Sequence, residues 1–227
     1  LSAHNDAITL NDALFQRVKA VYEGRANAGL DPIQLRLVER YYTRFVRAGA
    51  LLDAAGKEQL KKLNEEEANL NTSFQDNILK ARTASAIVVE KKAELDGLTE
   101  EALAAAAEAA KAKGHEGKWL IELINTTGQP VLASLKDRGL RERIYKASIS
   151  RNTRGETDNR PVVARLAQLR AQKARLLGFP NWASYVMDDQ MAKTPDAALK
   201  LLAGLAPNAV RNAKAEEWKL QKMLMKE

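Results

Sequence analysis

Residues 31–49 read Asp-Pro-Ile-Gln-Leu-Arg-Leu-Val-Glu-Arg-Tyr-Tyr-Thr-Arg-Phe-Val-Arg-Ala-Gly, and this stretch predicts a complete helix with both of its ends marked. Asp31 supplies an N-cap side chain, and Pro32 fits the first helical turn, where its missing amide proton is not needed. Gly49 is the kind of residue at which helices commonly end. A stripe of apolar residues between these ends recurs at i, i+4 spacing with a last step of i+3, which is typical of one helix face: Ile33, Leu37, Tyr41, Phe45 and Ala48.

The same start and stop signals recur on both sides of this stretch. A capping residue precedes a proline at Asn159-Arg160-Pro161 and at Thr194-Pro195, and Asn181 can cap a short helix between them. Pro207 is expected to kink or split the helix that begins at Pro195. Aromatic residues make up only 5% of the chain while Ala and Leu are abundant, which favours helices over sheets. The sequence therefore predicts a mainly α fold, a multi-helix, bundle-like lobe.

One region departs from the helical pattern. Residues 84–90 contain the β-branched run Ile87-Val88-Val89, and residues 118–124 (Lys-Trp-Leu-Ile-Glu-Leu-Ile) form a second short apolar run. Between them, residues 99–113 read as an alanine-rich helix with Thr99 as its cap. We predict a small two-stranded β-ribbon inserted at about residues 84–124 into a helical region that covers residues 1–227.

The inventory of reactive side chains is small. The 227 residues include no Cys and only two His, which excludes disulfides, cysteine nucleophiles and thiolate zinc sites. His4 and His115 lie far apart in sequence. The string His115-Glu116-Gly117-Lys118-Trp119 has Trp where the zinc motif H-E-x-x-H needs its second His, and it lies beside glycines before a strand. We therefore expect no catalytic residue, no metal ligand and no cofactor in this chain.

The positive charge is concentrated in one part of the sequence. The net charge is +7, yet residues 136–175 alone hold twelve Lys/Arg against four Asp/Glu. An anionic partner such as nucleic acid would explain this excess, and so would a solvated helix face or a surface that meets an acidic partner. Only Tyr145 could stack on a base in this region and no nucleic-acid motif accompanies it, so we do not expect a nucleic-acid partner.

No apolar run approaches the roughly 20 residues that span a bilayer, so no membrane partner is expected. The chain begins with Leu1 and shows no signal peptide, and we expect it to be a piece of a longer protein. The absence of cysteine fits a reducing compartment, which favours the cytoplasm, although it is compatible with the periplasm.

Several strings, taken in order, carry a family resemblance. Residues 170–179, 181–185 and 190–195 read Arg-Ala-Gln-Lys-Ala-Arg-Leu-Leu-Gly-Phe, Asn-Trp-Ala-Ser-Tyr and Gln-Met-Ala-Lys-Thr-Pro. They resemble a stretch of the thimet oligopeptidase and neurolysin family of zinc metallopeptidases. Upstream strings at residues 2–8, 45–49 and 125–130 resemble most the bacterial peptidyl-dipeptidase branch of that family.

The resemblance implies an almost wholly helical molecule with two lobes and a deep cleft, which acts on short peptides. It also implies that the zinc ligands and the H-E-x-x-H motif lie in a catalytic lobe downstream of the matched region. On this reading the chain is the non-catalytic N-terminal region of a zinc peptidyl-dipeptidase, an enzyme that releases dipeptides from free C-termini. It would be inactive alone, would form one wall of the substrate cleft, and would have the missing catalytic lobe as its partner.

The basic region supplies the only candidate site residues. A basic cleft wall could hold the carboxylate of a peptide, and the candidates on the helix after Pro161 are Arg165, Arg170 and Lys173. Three alternatives remain open at this point: an oligopeptidase of the same family, a stand-alone basic helical binding module, and a helical scaffold that only mediates protein contacts.

Overall fold

The computed structural model describes residues 1–124 and 128–226. Within them the α-helices are α1 Ser2–Thr9, α2 Asp12–Gly24, α3 Pro32–Arg47, α4 Ala54–Ala84, α5 Glu100–Ala112, α6 Arg138–Ile149, α7 Arg160–Leu176, α8 Trp182–Asp188 and α9 Pro195–Leu224. The strands β1 Ile87–Val89 and β2 Trp119–Ile121 form one antiparallel pair. The mainly α fold with a small two-stranded ribbon is therefore confirmed. Of the string at residues 125–130, the first three residues lie outside the described residues.

The described chain divides into two compact units. The first comprises residues 1–64 together with residues from 168 onward, and the second comprises Glu65–Ala167. Each unit has its own hydrophobic cluster.

The core of the first unit is an aromatic cluster between α2 and α3. Phe15 and Phe45 are buried, with ring centroids 6.1 Å apart, and the Tyr42 ring lies 6.0 Å from that of Phe15. Tyr22 stacks on Tyr42 with centroids 3.9 Å apart. The start of α3 is capped as the sequence predicts. The Asp31 side chain accepts hydrogen bonds from the amides of Ile33 and Gln34, and the Gln34 side chain accepts one from the Asp31 amide.

The apolar stripe of α3 is not its packed face. Phe45 is buried, but the side chains of Ile33, Leu37 and Tyr41 are 82%, 56% and 50% exposed. The residues of α3 that pack against α2 are instead Tyr42, Phe45 and Val46. The apolar surface of α3 is therefore buried only along the edge that faces α2. Leu37 and Tyr41, on the other side of that edge, line an open groove.

The core of the second unit forms around the ribbon. Ile87, Val88 and Val89 pair with Ile121, Leu120 and Trp119. A pair this short is marginal alone, and it is stabilised because α5 and α6 pack on it. The buried side chains of this cluster are Val89, Leu95, Leu103, Ala106, Ile121, Leu123, Leu135, Leu140 and Ile144.

Asparagine side chains hold the loop before α7 against α4. Asn159 is only 4% exposed; its Nδ2 donates to the Phe74 carbonyl at 3.1 Å, and its Oδ1 accepts from Nδ2 of Asn77 at 2.9 Å. Asn152 donates to the Asn77 carbonyl at 2.9 Å. The sequence suggested Asn159 as part of a helix cap, and its side chain instead joins two segments of the second unit.

Two helices differ from what the sequence analysis gives. Residues 2–9, for which the sequence predicted no element, form α1. The predicted break at Pro207 does not divide α9, which continues through that proline to Leu224. A proline removes one amide donor, and the flanking turns of a long helix keep theirs.

Candidate functional site

Arg165, the first candidate, is held by a carboxylate of its own unit. Its Nε lies 2.6 Å from Oε1 of Glu66 and its Nη2 lies 2.8 Å from Oε2, which is the two-pronged geometry that arginine forms with carboxylates. These hydrogen bonds from Arg165 hold the pKa of Glu66 below its ordinary value, and the same contact raises the pKa of Arg165. Both side chains are about two-fifths exposed, so the pair lies at the surface with access to solvent.

Other cations of the basic region in the second unit also have acidic partners. Arg143 reaches Glu94 at 2.9 Å, and Lys136 reaches Asp96 at 3.3 Å. Arg160 folds back on Asp158, 2.7 Å away, and lowers the pKa of that carboxyl mainly by donating hydrogen bonds to it. Glu66, Glu94 and Asp96 all lie outside residues 136–175, so the local excess of charge in the sequence is partly cancelled in the fold.

Arg170 and Lys173 belong to the first unit, whereas Arg165 belongs to the second. The guanidinium carbon of Arg170 lies 5.6 Å from the centroid of the Trp182 ring, a cation–π arrangement. Lys173 is half-buried one turn further along α7. The structure thus places Arg170 and Lys173 on consecutive turns of one helix.

No metal centre can be built from the part of the chain that the structure describes. Among those residues, no group of three or more His, Asp or Glu side chains is arranged to hold a metal ion. His115 lies in the turn after α5, and Trp119 begins β2 opposite Val89, so the H-E-x-x-W string is a turn and a strand rather than a helix. The described residues therefore do not fit the zinc that the family resemblance implies.

A set of arginines that sequence reasoning passed over lies on α3. Arg40, Arg44 and Arg47 are spaced i, i+4, i+7 and share one face of that helix. They border a cavity of about 500 Å³, which we call the arginine groove. It is lined by Arg40, Tyr41, Arg44, Arg47, Tyr185 and Asp189.

Two aspartates at the end of α8 orient two of these arginines. Asp189 accepts from Nη1 of Arg40 at 2.6 Å, and Asp188 accepts from Nη1 of Arg47 at 2.6 Å. Arg47 also donates to the Tyr185 carbonyl at 2.8 Å and stacks 4.6 Å over the Tyr185 ring. The spacing of the arginines was visible in the sequence, but their aspartate partners lie 149 and 141 positions away and could not be assigned from it.

No helix among the described residues has both the length and the apolarity to cross a membrane.

The known proteins that this chain resembles in sequence are peptidases. The sequence model of Peptidase family M3 matches residues 131–227. The chain is 45% identical over 225 residues to the dipeptidyl carboxypeptidase of Salmonella typhimurium, covering 99% of this chain and 33% of that protein. It is 44% identical over 221 residues to the dipeptidyl carboxypeptidase of Escherichia coli, covering 97% of this chain and 32% of that protein. Oligopeptidase A of Salmonella typhimurium is 29% identical over 92% of this chain and 31% of its own length.

The chain spans about a third of the length of these relatives. The matches extend over almost all of its residues, including the strings from which the resemblance was drawn. That resemblance is confirmed: along nearly its whole length, the chain is related to the peptidases of family M3.

Proposed function

We propose that this chain is the N-terminal, non-catalytic region of a zinc-dependent peptidyl-dipeptidase that releases dipeptides from the C-termini of short peptides. The observation that carries the proposal is the 45% identity to a dipeptidyl carboxypeptidase over 99% of the chain. Identity of this degree, spread over all the elements of both units, indicates a shared fold and a shared role in the parent enzyme.

The composition of the described residues supports a division of labour in that parent. They offer no group of His, Asp and Glu side chains that could hold zinc, and we propose that the metal and the general base belong to a catalytic lobe outside this sequence. Under this proposal the chain alone is inactive, and zinc is a cofactor of the intact enzyme only.

The exposure of the last helix, α9, supports the proposal that a further part of the protein packs against it. None of the described residues in α9 is buried, and its large apolar side chains include Leu202, Trp218 and Leu224, each about 60% or more exposed. Exposed apolar area on this scale marks an interaction surface. We propose that the catalytic lobe covers it.

Arg165, Arg170 and Lys173 remain our candidates for residues that face the peptide substrate, each considered within its own unit. Arg165 keeps one guanidinium nitrogen, Nη1, outside its two hydrogen bonds to Glu66. A peptide carboxylate could be attracted to that edge, since hydrogen bonds between charged groups are the strong ones. The chain would in this way form one wall of the substrate cleft. For the parent enzyme we propose a cytoplasmic location.

An oligopeptidase is the second candidate, favoured by the 29% identity to oligopeptidase A over 92% of the chain. A stand-alone nucleic-acid module is less well supported, because Lys136, Arg143 and Arg165 of the basic region are engaged with acidic side chains.

The test is to express the gene that encodes this chain with all the sequence that follows residue 227, and to assay it with and without zinc. Release of C-terminal dipeptides from short peptides is expected, and the 227-residue chain should cleave nothing under the same conditions. Internal cleavage would select the oligopeptidase. A stop codon directly after residue 227, or peptide cleavage by the isolated chain, would overturn the proposal.

A further inference from the structure

The arginine groove holds two arginines that are paired with aspartates and one, Arg44, that has no partner among the described residues. We propose that it binds the terminal carboxylate of a peptide whose last side chain is apolar, with Arg44 as the residue that contacts the carboxylate.

The charge balance of the groove identifies an anion as its ligand. Arg40 is matched by Asp189 and Arg47 by Asp188, each at 2.6 Å. Among the residues that the structure describes, none forms a hydrogen bond or an ion pair with the guanidinium of Arg44. Three cations and two carboxylates leave one positive charge, which suits a ligand with a single negative charge.

The geometry favours a planar anion. The guanidinium group presents a rigid fork of donors that matches the two oxygens of a carboxylate. Arg47 is only 15% exposed and is fixed by Asp188 and by Tyr185, whose hydroxyl returns a hydrogen bond to the Arg47 carbonyl at 3.3 Å. The wall beside Arg44 is therefore organised before a ligand arrives, and less conformational entropy is lost on binding.

An apolar groove adjoins the charged one. A cavity of about 290 Å³ between α2 and α3 is lined by Arg17, Val18, Val21, Leu37, Val38 and Tyr41. Tyr41 borders both cavities, so an apolar side chain and a carboxylate on the same short ligand could occupy the two together. Val21 and Leu37 are more than half exposed, and covering them would contribute to binding.

That the ligand is a peptide rests on the proposed function. That the ligand has one negative charge and an apolar group rests only on the charges of the arginine groove and on the apolar groove beside it. A peptide with an apolar C-terminal residue carries the carboxylate and the apolar side chain on the same Cα atom. The site would then hold substrate or product chain ends at a distance in sequence from the basic region of residues 136–175.

The experiment measures binding of fluorescein-labelled Ala-Ala-Leu, with a free carboxylate, to the 227-residue chain by fluorescence anisotropy at low ionic strength. The same peptide as its C-terminal amide is the ligand control. We expect wild type to prefer the free acid by about tenfold or more, because a hydrogen-bonded charge pair is lost in the amide. Arg44→Gln should weaken the acid by a similar factor and should no longer distinguish acid from amide.

Arg36→Gln is the matched protein control. Arg36 lies on the same helix outside the groove, paired with Glu39, and its removal changes the net charge equally. It should bind the acid as wild type does. Arg44→Lys keeps the charge but loses the fork, and should fall between wild type and Arg44→Gln. Circular dichroism of each variant verifies that the helices are retained.

Two further probes separate the sources of the carboxylate and the role of the apolar groove. Ala-Asp-Leu amide carries its carboxylate on a side chain and should bind as weakly as the Ala-Ala-Leu amide. Ala-Ala-Gly with a free carboxylate should bind several-fold more weakly than Ala-Ala-Leu, and Leu37→Ser should reduce this difference.

Equal binding of acid and amide by wild type, unchanged affinity in Arg44→Gln, or an equal loss in Arg36→Gln would each overturn the proposal. Undetectable binding of the free acid, or equally tight binding of Ala-Asp-Leu amide, would do so as well. Because the readout is binding by this chain and not cleavage, failure here leaves the proposed peptidase function standing, and the converse also holds.

Discussion

Arg165 and Glu66, separated by 99 positions in the sequence, meet in the second unit with both carboxylate oxygens bound to one guanidinium. The contact lowers the pKa of Glu66, because Arg165 donates hydrogen bonds to its ionised form. A group whose pKa is lower in the folded protein adds stability above its unfolded pKa and loses that stability as pH falls through the folded pKa.

We therefore predict that Arg165→Met lowers the melting temperature at pH 7 and that its difference from wild type shrinks once pH falls below the usual range of a glutamate. Thermal unfolding followed by circular dichroism from pH 7 to pH 3 measures this. The effect should be small, because the pair is exposed and solvent screens it. Arg154→Met is the control, since Arg154 reaches the Ser150 hydroxyl and not a carboxylate. A difference that stayed constant down to pH 3 would contradict the assignment.

The side chain of Asn159 is expected to stabilise the second unit through its hydrogen bonds. Its buried amide connects Asn77 and the Phe74 carbonyl of α4 to the loop before α7. Asn159→Ala leaves the Asn77 amide without its acceptor and should destabilise the protein by roughly 1–3 kcal/mol. Urea denaturation would show this as a lower midpoint.

Asn71→Ala is the matched control on α4. Within the described residues the side chain of Asn71 has no hydrogen bond, and the substitution should change stability by no more than about 0.5 kcal/mol. If both variants unfolded at the wild-type midpoint, the asparagine network would not contribute as we infer.

Gly97 is predicted to tolerate no side chain. Its φ of +97° favours glycine, and a Cβ added there would overlap the carbonyl oxygen of Ser134, which is backbone and cannot rotate away. Gly97→Ala should destabilise the second unit by several kcal/mol or prevent its folding, because steric overlap adds to the backbone strain of about 1 kcal/mol.

Gly117→Ala separates the two contributions. Gly117 also has a positive φ, of +78°, but an added Cβ would meet no atom within 4 Å. It should show only the strain, measured as a modest drop in melting temperature. A Gly97→Ala protein no less stable than Gly117→Ala would mean that the segment around Ser134 moves readily.

The local features of this fold could be read from the sequence, whereas its pairings could not. The cap at Asp31, the cap at Asn181 and the β-branched run at Ile87 each act over a few residues, and each element forms where its signal predicts. The exposed stripe of α3 was not predictable in the same way, because periodicity identifies apolar faces without saying which of them has a neighbour.

The site illustrates the same limit. Counting charges over residues 136–175 gave an excess of positive charge, but Glu66, Glu94 and Asp96 come from outside that window. Asp188 and Asp189, far along the chain, had to be placed before Arg44 could be recognised as the arginine of this groove that has no partner in the described part of the chain. Long-range partners are set by tertiary packing, and a single sequence does not contain that information in readable form.

The pairing of Arg165 with Glu66 also makes its proposed role at the substrate cleft testable in the longer, zinc-loaded protein. If the cation attracts a peptide carboxylate, Arg165→Gln should raise KM several-fold with little change in kcat, since a binding interaction is lost uniformly. Glu66→Gln should leave KM unchanged or lower it, because it releases the cation from its competitor. A purely structural pair would respond alike to both substitutions, which would remove Arg165 from the candidates. Arg154→Gln provides the control, since Arg154 reaches the Ser150 hydroxyl and not a carboxylate, and its KM should equal that of wild type.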